Sequence, residues 1–198
     1  MPAAETQLPT RDRILFTSAE LFRRQGYAGT GLKQITAQAP APFGSLYHFW
    51  PGGKEELAAE VIRTGGDFFL ALYRAIIDAA PDLLTGVGDF FTGAGETVAA
   101  TDYQDACPIA TVAGEIASTH EPLRAASADV FELWLGALTE DLVTAEVPRA
   151  RARELSLSIL ALLEGAFLLC RTLRSTEPMT AAGAAAVALL TPDLEADA

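Results

Sequence analysis

A short segment near the N-terminus concentrates side chains that can contact nucleic acid. Its candidates carry an aromatic ring, a hydroxyl, an imidazole or an ammonium group, and they are Phe43, Ser45, Tyr47, His48 and Lys54. Hydroxyl, imidazole and ammonium groups can donate hydrogen bonds to phosphate oxygens, and an aromatic face can contact a thymine methyl group. The segment therefore indicates recognition of DNA.

The chain offers no catalytic or metal-binding constellation. It has two histidines, His48 and His120, and two cysteines, Cys107 and Cys170. Their spacings fit neither a nucleophile with its base nor a zinc site. His120, beside Glu121-Pro122, is typical of a helix entry. We therefore expect no enzyme activity, no cofactor and no bound metal.

Helical periodicity dominates the sequence and predicts an all-α protein of about nine helices. Three short helices would form a helix-turn-helix head over residues 1–53, and the rest would form a larger helical body over residues 54–198. The predicted head helices are one from an N-cap at Thr10 to about Gln25, one capped by Thr30 and one at roughly Pro42–Phe49. The predicted body helices are about Lys54–Ala80, Leu83–Ala100, Pro108–Ser118, Glu121–Ala145, Ala150–Leu173 and Thr180–Leu190.

The head has the arrangement that a helix-turn-helix protein uses on DNA. The third helix would enter the major groove while the second crosses the phosphate backbone. Thr30 would place a hydroxyl and free backbone N–H groups at a phosphate. Lys33 and Gln34 of the second helix complete the candidate DNA-binding residues, and Lys54 opens the fourth helix, where it can meet the same strand.

Three stretches of the head resemble the DNA-binding domain of TetR-family transcriptional regulators. They are Tyr27-Ala28-Gly29-Thr30, Leu32-x-x-Ile35 and the run Gly44-Ser45-Leu46-Tyr47-His48-Phe49-Trp50-Pro51-Gly52-Gly53-Lys54-Glu55-Glu56-Leu57. The resemblance covers about residues 10–57. Together with Cys107-Pro108-Ile109-Ala110, the same run is similar to the LmrA/YxaF-like branch of that family.

The turn before the third helix departs from the family's pattern. Members usually have glycine, an aliphatic residue and then a serine or threonine cap, whereas this chain has Pro40, Ala41 and Pro42. The next position, often basic in the family, is Phe43. Its ring could contact bases or fold back onto the head, and the sequence leaves both open.

The charge of the chain is divided unequally. The protein has 198 residues and a net charge of −12, but residues 1–66 carry +1 and the remainder carries −13. The near-neutral head could therefore approach DNA while the acidic body faces away. The first nine residues lack the basic and apolar regions of a secretion signal, and the apolar run around Leu155–Cys170 is short for a membrane span. These features favour a cytoplasmic protein without a membrane partner.

The body is rich in aromatic residues that fit either a core or a cavity. The resemblance implies a cavity for a small effector, and the apolar lining favours a lipophilic or aromatic ligand. The candidate effector-binding residues are Phe68, Leu72, Phe91, Cys107, Thr111, Trp134, Leu138 and Phe167.

The helix predicted at about 150–173 is apolar nearly all round, which indicates burial on both sides. One side would pack on its own subunit and the other on a partner. In the resembled family the two C-terminal helices form the dimer as a four-helix bundle. The candidate interface residues are Leu155, Ile159, Leu162, Ala166, Leu169, Val187 and Leu190.

The resemblance implies a homodimeric regulator, a repressor, that binds a double-stranded DNA operator of palindromic sequence and is released by a small lipophilic effector. The helix from Lys54 would couple the two functions, with Gly65-Gly66 acting as a bend or as a true break. The alternative is a helical small-molecule-binding protein whose head does not function on DNA.

Overall fold

A computed structural model describes residues 8–195, and all regular structure in that range is helical. The nine helices of the described residues are α1 Thr10–Gln25, α2 Leu32–Gln38, α3 Phe43–Phe49, α4 Lys54–Ala79, α5 Leu83–Ala100, α6 Pro108–Ile116, α7 Glu121–Thr144, α8 Arg149–Leu173 and α9 Glu177–Leu194. The all-α prediction is confirmed. Residues 1–7, part of the segment expected to lack a secretion signal, lie outside the described range.

The long connecting helix α4 runs without a break through its glycine pair. At Gly66 the helices α4 and α7 approach each other closely, since a Cβ atom there would lie 2.6 Å from both γ carbons of Val130. The Trp134 indole N–H also donates a hydrogen bond of 2.9 Å to the Gly66 carbonyl oxygen. Gly66 therefore serves close helix packing within a continuous helix.

Several predicted helix ends are wrong by a few residues. Pro9 occupies the capping position of α1 and Thr10 is already helical, while Gly31 instead of Thr30 precedes α2. The last helix begins at Glu177, ahead of the predicted Thr180, because Pro178 lies in its first turn, where a missing N–H does no harm.

Two hydrophobic clusters hold the fold together. The first joins α1, α2 and α3 to the first half of α4, to α6 and to the start of α7. Trp50 and Leu57, on either side of residue 53, are both almost completely buried in it. The second cluster joins α5, α8 and α9 to the second half of α7. The packing of the head therefore continues directly into the body.

Among the described residues, one helix, α8, has the length and the apolar composition that a membrane span requires. Leu155 and Ile159 of α8 are nevertheless buried against the neighbouring helices in the second cluster. One face of α8 therefore belongs to the hydrophobic core, while other positions of the helix are exposed.

Candidate DNA interface and interior cavity

Helix α3 presents its aromatic residues outward from a buried anchor. Leu46 is fully buried, whereas Phe43 and Tyr47 are 44% and 47% exposed. The two rings pack edge to face with their centroids 5.8 Å apart, so Phe43 rests on Tyr47 at the surface of the head. His48 is also exposed, and Ser45 is half-buried. The outer face of α3 is therefore open to a partner.

Helix α2 contributes one exposed cation and one amide. Lys33 is exposed, and Gln34 is half-buried with its Oε1 atom accepting a hydrogen bond of 2.8 Å from Gln25 Nε2. Thr30 differs from the prediction because its side chain is only 1% exposed. Its hydroxyl donates to the Gly26 carbonyl oxygen at 2.7 Å and stabilises the loop, so it is not free to hold a phosphate.

Lys54 is tied to the head instead of extending into solvent. Its ammonium group donates a hydrogen bond of 2.6 Å to the Tyr27 carbonyl oxygen and lies 4.1 Å from the centre of the Tyr27 ring. Partial burial lowers the pKa of Lys54. The structure therefore assigns Lys54 a positioning contact with the loop before α2, and the predicted phosphate contact would require this contact to break.

Most basic side chains of the head are held by other groups of the protein. Arg11 pairs with Glu60 at 2.5 Å, and Arg13 donates to the Ala39 carbonyl oxygen at 2.9 Å. Arg23 and Arg24 both reach Asp105 in the body. Among the basic residues of the described head and the start of α4, only Lys33 and Arg63 have neither an ion pair nor a side-chain hydrogen bond within residues 8–195.

The body encloses a cavity of about 410 Å³ whose walls come mainly from α4, α5, α7 and α8. Seven of the eight predicted effector-binding residues line it, namely Phe68, Leu72, Phe91, Cys107, Trp134, Leu138 and Phe167. Thr111 does not, because its hydroxyl points back along α6 and donates to the Cys107 carbonyl oxygen at 2.8 Å. Aromatic rings and aliphatic side chains make up most of the wall, which suits a lipophilic occupant.

The charged residues of the cavity wall, Glu164, Arg23 and Asp105, are not among the residues predicted from the sequence. Glu164 of α8 lines the wall, and burial raises the pKa of its carboxyl group to about 7, an effect that the neighbouring Cys107 thiol partly opposes. Burial, with the Glu164 charge second, raises the pKa of the Cys107 thiol, so this thiol is protonated and unreactive at neutral pH. The sequence signal for Glu164 was its position as a lone charge within an apolar helix.

The far end of the cavity is joined to the head by an ion pair. Asp105 and Arg23 both line the wall, and the Arg23 guanidinium lies 2.9 Å from Asp105 Oδ2. Arg24 approaches the other carboxylate oxygen at 3.5 Å. Close by, the Ala28 N–H donates to Glu115 Oε2 of α6 at 2.9 Å. The last turn of α1 and the following loop are thus held by charged groups of the cavity wall and α6.

Comparison with known proteins decides the class of this molecule. Residues 14–61 match the tetR family of bacterial regulatory proteins, and residues 84–185 match the C-terminal domain of LmrA/YxaF-like transcriptional regulators. The chain belongs to the TetR family. The head described above is therefore the DNA-binding domain of a TetR-family transcriptional regulator, and the matched relatives are regulators of the same kind.

Individual relatives cover nearly the whole TetR-family chain. The regulator LmrA of Bacillus subtilis strain 168 is 32% identical over 170 residues, which are 86% of this chain and 90% of LmrA. The regulator YxaF of the same organism is 33% identical, with 86% and 89% covered. A TetR regulator structure from Legionella pneumophila shares the fold, with a TM-score of 0.80 at 21% identity over 94% of this chain and 97% of that one.

The predicted interface residues of this TetR-family protein separate into two groups. Leu155, Ile159, Ala166 and Leu190 are at most 6% exposed, so they pack inside their own subunit and cannot face a second one. Leu162 and Val187 are half-buried, and Leu169 is 50% exposed. The exposed leucines of α8 are instead Leu157, Leu168, Leu169 and Leu173, of which Leu157 and Leu168 share one face of the helix. Periodicity predicts that α8 is apolar on more than one face, but it does not show which face packs within the subunit.

Proposed function

We propose that this TetR-family protein is a ligand-responsive repressor that binds a palindromic operator as a homodimer and leaves it when a small lipophilic effector fills the cavity. The observation that carries the proposal is the ion pair between Arg23 and Asp105, which links the last turn of α1 to the wall of the cavity. The proposed place of action is the cytoplasm, and no membrane partner is involved.

The proposed DNA contacts come from the exposed side of α2 and α3. Lys33 can neutralise a phosphate, and Tyr47, His48 and Ser45 can donate hydrogen bonds to the backbone of the duplex. Phe43 and Tyr47 form an exposed aromatic pair at the tip of α3, where a thymine methyl group is a suitable apolar neighbour. Gln34 can reach a base or phosphate once it leaves Gln25.

The proposed dimer uses the solvent-facing sides of α8 and α9. Leu157 and Leu168 share one face of α8 and are 48% and 66% exposed, so this face presents two large apolar side chains to solvent. Exposed alanines on α9, including Ala181, Ala184 and Ala188, would allow a second helix to approach closely. A two-fold axis here would carry two heads to successive major grooves, about 34–36 Å apart.

The proposed release follows from the shared wall. An effector in the cavity contacts side chains on the same surface as Asp105 and Arg23, so it can favour an arrangement in which the last turn of α1 has moved. An effector that binds this arrangement more tightly than the DNA-bound one shifts the population away from DNA. Continuous α4 then transmits the change as a rigid helix, without the break considered at Gly65-Gly66.

The DNA-binding half of the proposal can be tested with a labelled duplex from the region upstream of the protein's own gene. We expect Lys33→Ala to weaken binding and to lower the salt dependence of the affinity by about one released ion per lysine. Arg149→Ala is the matched control, because Arg149 is an exposed cation in the body that pairs with Glu140. Equal affinity and equal salt dependence for both variants would place DNA binding elsewhere.

A second candidate function is a small-molecule-binding protein whose head does not bind DNA. Two observations favour it: most of the head's basic side chains are engaged within the protein, and Pro42 replaces a capping hydroxyl before α3. The same duplex separates the two functions, since this candidate predicts no salt-dependent complex with DNA.

A further inference from the structure

The cavity contains one acidic side chain, Glu164, that has no ion pair among the described residues and whose polar neighbour is the Cys107 thiol. Glu164 lines the wall, and its Oε1 atom is buried without a hydrogen-bond partner among residues 8–195. The other charged residues of the wall, Arg23 and Asp105, are paired with each other. Asp105 Oδ1 also has no hydrogen-bond partner, but the Arg24 guanidinium lies 3.5 Å from it, so among residues 8–195 Glu164 is the acid of the wall whose free oxygen has no cation beside it.

An unpaired buried carboxyl group is costly for a fold, because removal from water is not balanced by a new hydrogen bond. Helix α8 has no other charge between Glu154 and Arg171 that could account for an acid at this position. The neighbouring residues on the cavity side of the helix, Leu160, Leu163 and Phe167, are apolar. A structural ion pair therefore does not explain why an acid stands at this buried position. A hydrogen bond to a bound ligand would explain it.

We propose that Glu164 is the polar anchor of the effector, and that the effector is a lipophilic, ring-containing molecule bearing an O–H or N–H hydrogen-bond donor. This inference rests on the proposed function, because it specifies what the cavity takes. The donor would fill the free Oε1 acceptor, while Phe91, Trp134 and Phe167 would contact the apolar body of the molecule. The cavity volume of about 410 Å³ accommodates a compound with two fused rings.

Polar selectivity follows from this assignment. Above the raised pKa of about 7, where Glu164 is ionised and can only accept, a donor-bearing molecule gains the hydrogen bond to Glu164, whereas an otherwise similar ether would bury the acceptor without satisfying it. The shared requirement is the donor itself, which a phenol supplies as a neutral group and an amine supplies as a cation. The raised pKa of Glu164 agrees with its burial, because the carboxylate has lost hydrogen bonds from water. A ligand donor would replace one of these hydrogen bonds.

The test is calorimetric titration of the full chain with three matched probes: 2-naphthol, 2-naphthylmethylamine and 2-methoxynaphthalene. We expect Glu164→Leu to weaken the phenol and the amine by roughly tenfold or more, the size of a hydrogen bond to a charged group, and to leave the ether unchanged or tighter. Glu164→Gln, which keeps an acceptor but not the charge, should weaken the amine more than the phenol. Glu154→Gln is the matched control, because Glu154 is an exposed acid on the same helix.

The outcomes separate this inference from the proposed function. If the phenol and the amine bind Glu164→Leu as tightly as the unmodified protein, or if none of the probes binds the unmodified protein, the anchor is overturned. The same probes are then added to the complex with upstream DNA. If the probes bind through Glu164 but do not release the DNA, the anchor stands and effector-driven release is contradicted. If the probes still release the DNA from Glu164→Leu, effector-driven release stands and the anchor is contradicted.

Discussion

Glu164 makes the stability of the protein depend on pH in an unusual direction. Because burial raises its folded-state pKa to about 7 from an ordinary value of 4.5, the folded protein holds a proton in this interval that the unfolded chain has lost. The free energy of unfolding contributed by Glu164 is therefore largest below pH 4.5 and falls as the pH rises to about 7.

We expect Glu164→Gln to remove this dependence, since an amide does not titrate. Between pH 5.5 and pH 8, the free energy of unfolding of the unmodified protein should fall by about 2 kcal/mol relative to Glu164→Gln. Urea unfolding at the two pH values measures the difference. If the free energies of unfolding of the two proteins change equally with pH, burial does not raise the pKa of Glu164.

Asp105 is a second residue whose structural role the sequence does not predict, because it links the body to α1 through ion pairs. Its carboxylate is nearly buried and forms ion pairs with both Arg23 and Arg24. We expect Asp105→Asn to lower the free energy of unfolding by about 1–3 kcal/mol, because two guanidinium groups lose their partner in a partly buried site. Glu140→Gln breaks the exposed pair with Arg149 and should cost less than about 1 kcal/mol. Urea unfolding of both variants checks the contrast, and equal losses would contradict a special role for Asp105.

At the level of helices, the sequence was most informative where periodicity and helix-stopping residues agree. Both ends of α5, Leu83–Ala100, agree with the prediction. The bounds of α3 and α4 each differ from the prediction by one residue at one end. The burial of Leu46 and the outward position of Tyr47 also follow from helical spacing alone. The cavity residues could be predicted because the resemblance implied a cavity in a body where aromatic residues are concentrated.

The failures at this level arise from tertiary contacts that periodicity does not contain. Thr30 has the residue type of a cap and the position of one, yet a loop carbonyl takes its hydroxyl. Leu155 and Leu169 lie on the same apolar helix, and only the packing of α8 against its neighbouring helices decides which of the two is buried. Glu164 is a lone charge in the sequence, and its role depends on which wall it faces.

The glycine pair of α4 gives a direct test of helix packing. Gly65 has room for a methyl group, with its nearest neighbour at 3.5 Å, whereas Gly66 does not because of Val130. We expect Gly65→Ala to stabilise the protein by about 0.5–1 kcal/mol through helix propensity. Gly66→Ala should destabilise it by about 1–3 kcal/mol through overpacking. Thermal or urea unfolding distinguishes the two, and similar effects of both changes would contradict the close approach of α4 and α7.

At the level of the whole molecule, the charge distribution limits how the protein can meet DNA. Residues 67–198 carry a charge of −13, and the head has few basic side chains that are not already engaged. Non-specific attraction to DNA should therefore be weak, because it depends on the number of phosphates neutralised. Specific binding would have to come from two heads acting together and from the fit of α3 in the groove.

The two-headed arrangement requires the exposed leucines of α8. We expect Leu168→Glu to convert the protein to a monomer at micromolar concentration, because a charge would be buried at the centre of an apolar contact. Leu133→Glu is the matched control, since Leu133 is a 40% exposed leucine on α7. Sedimentation velocity measures the oligomeric state. A dimer that survives Leu168→Glu unchanged, or a monomeric unmodified protein, would contradict this interface.

The central claim is that the exposed face of α2 and α3 recognises a DNA sequence. Its most direct measurement is the affinity of the full chain for a duplex from upstream of its own gene, compared with a scrambled duplex of equal length and composition across a range of salt concentrations. The account predicts that the upstream duplex is bound at least about 1,000-fold more tightly and that both affinities fall as salt rises. Equal affinity for the two duplexes, or no complex with either, would contradict it.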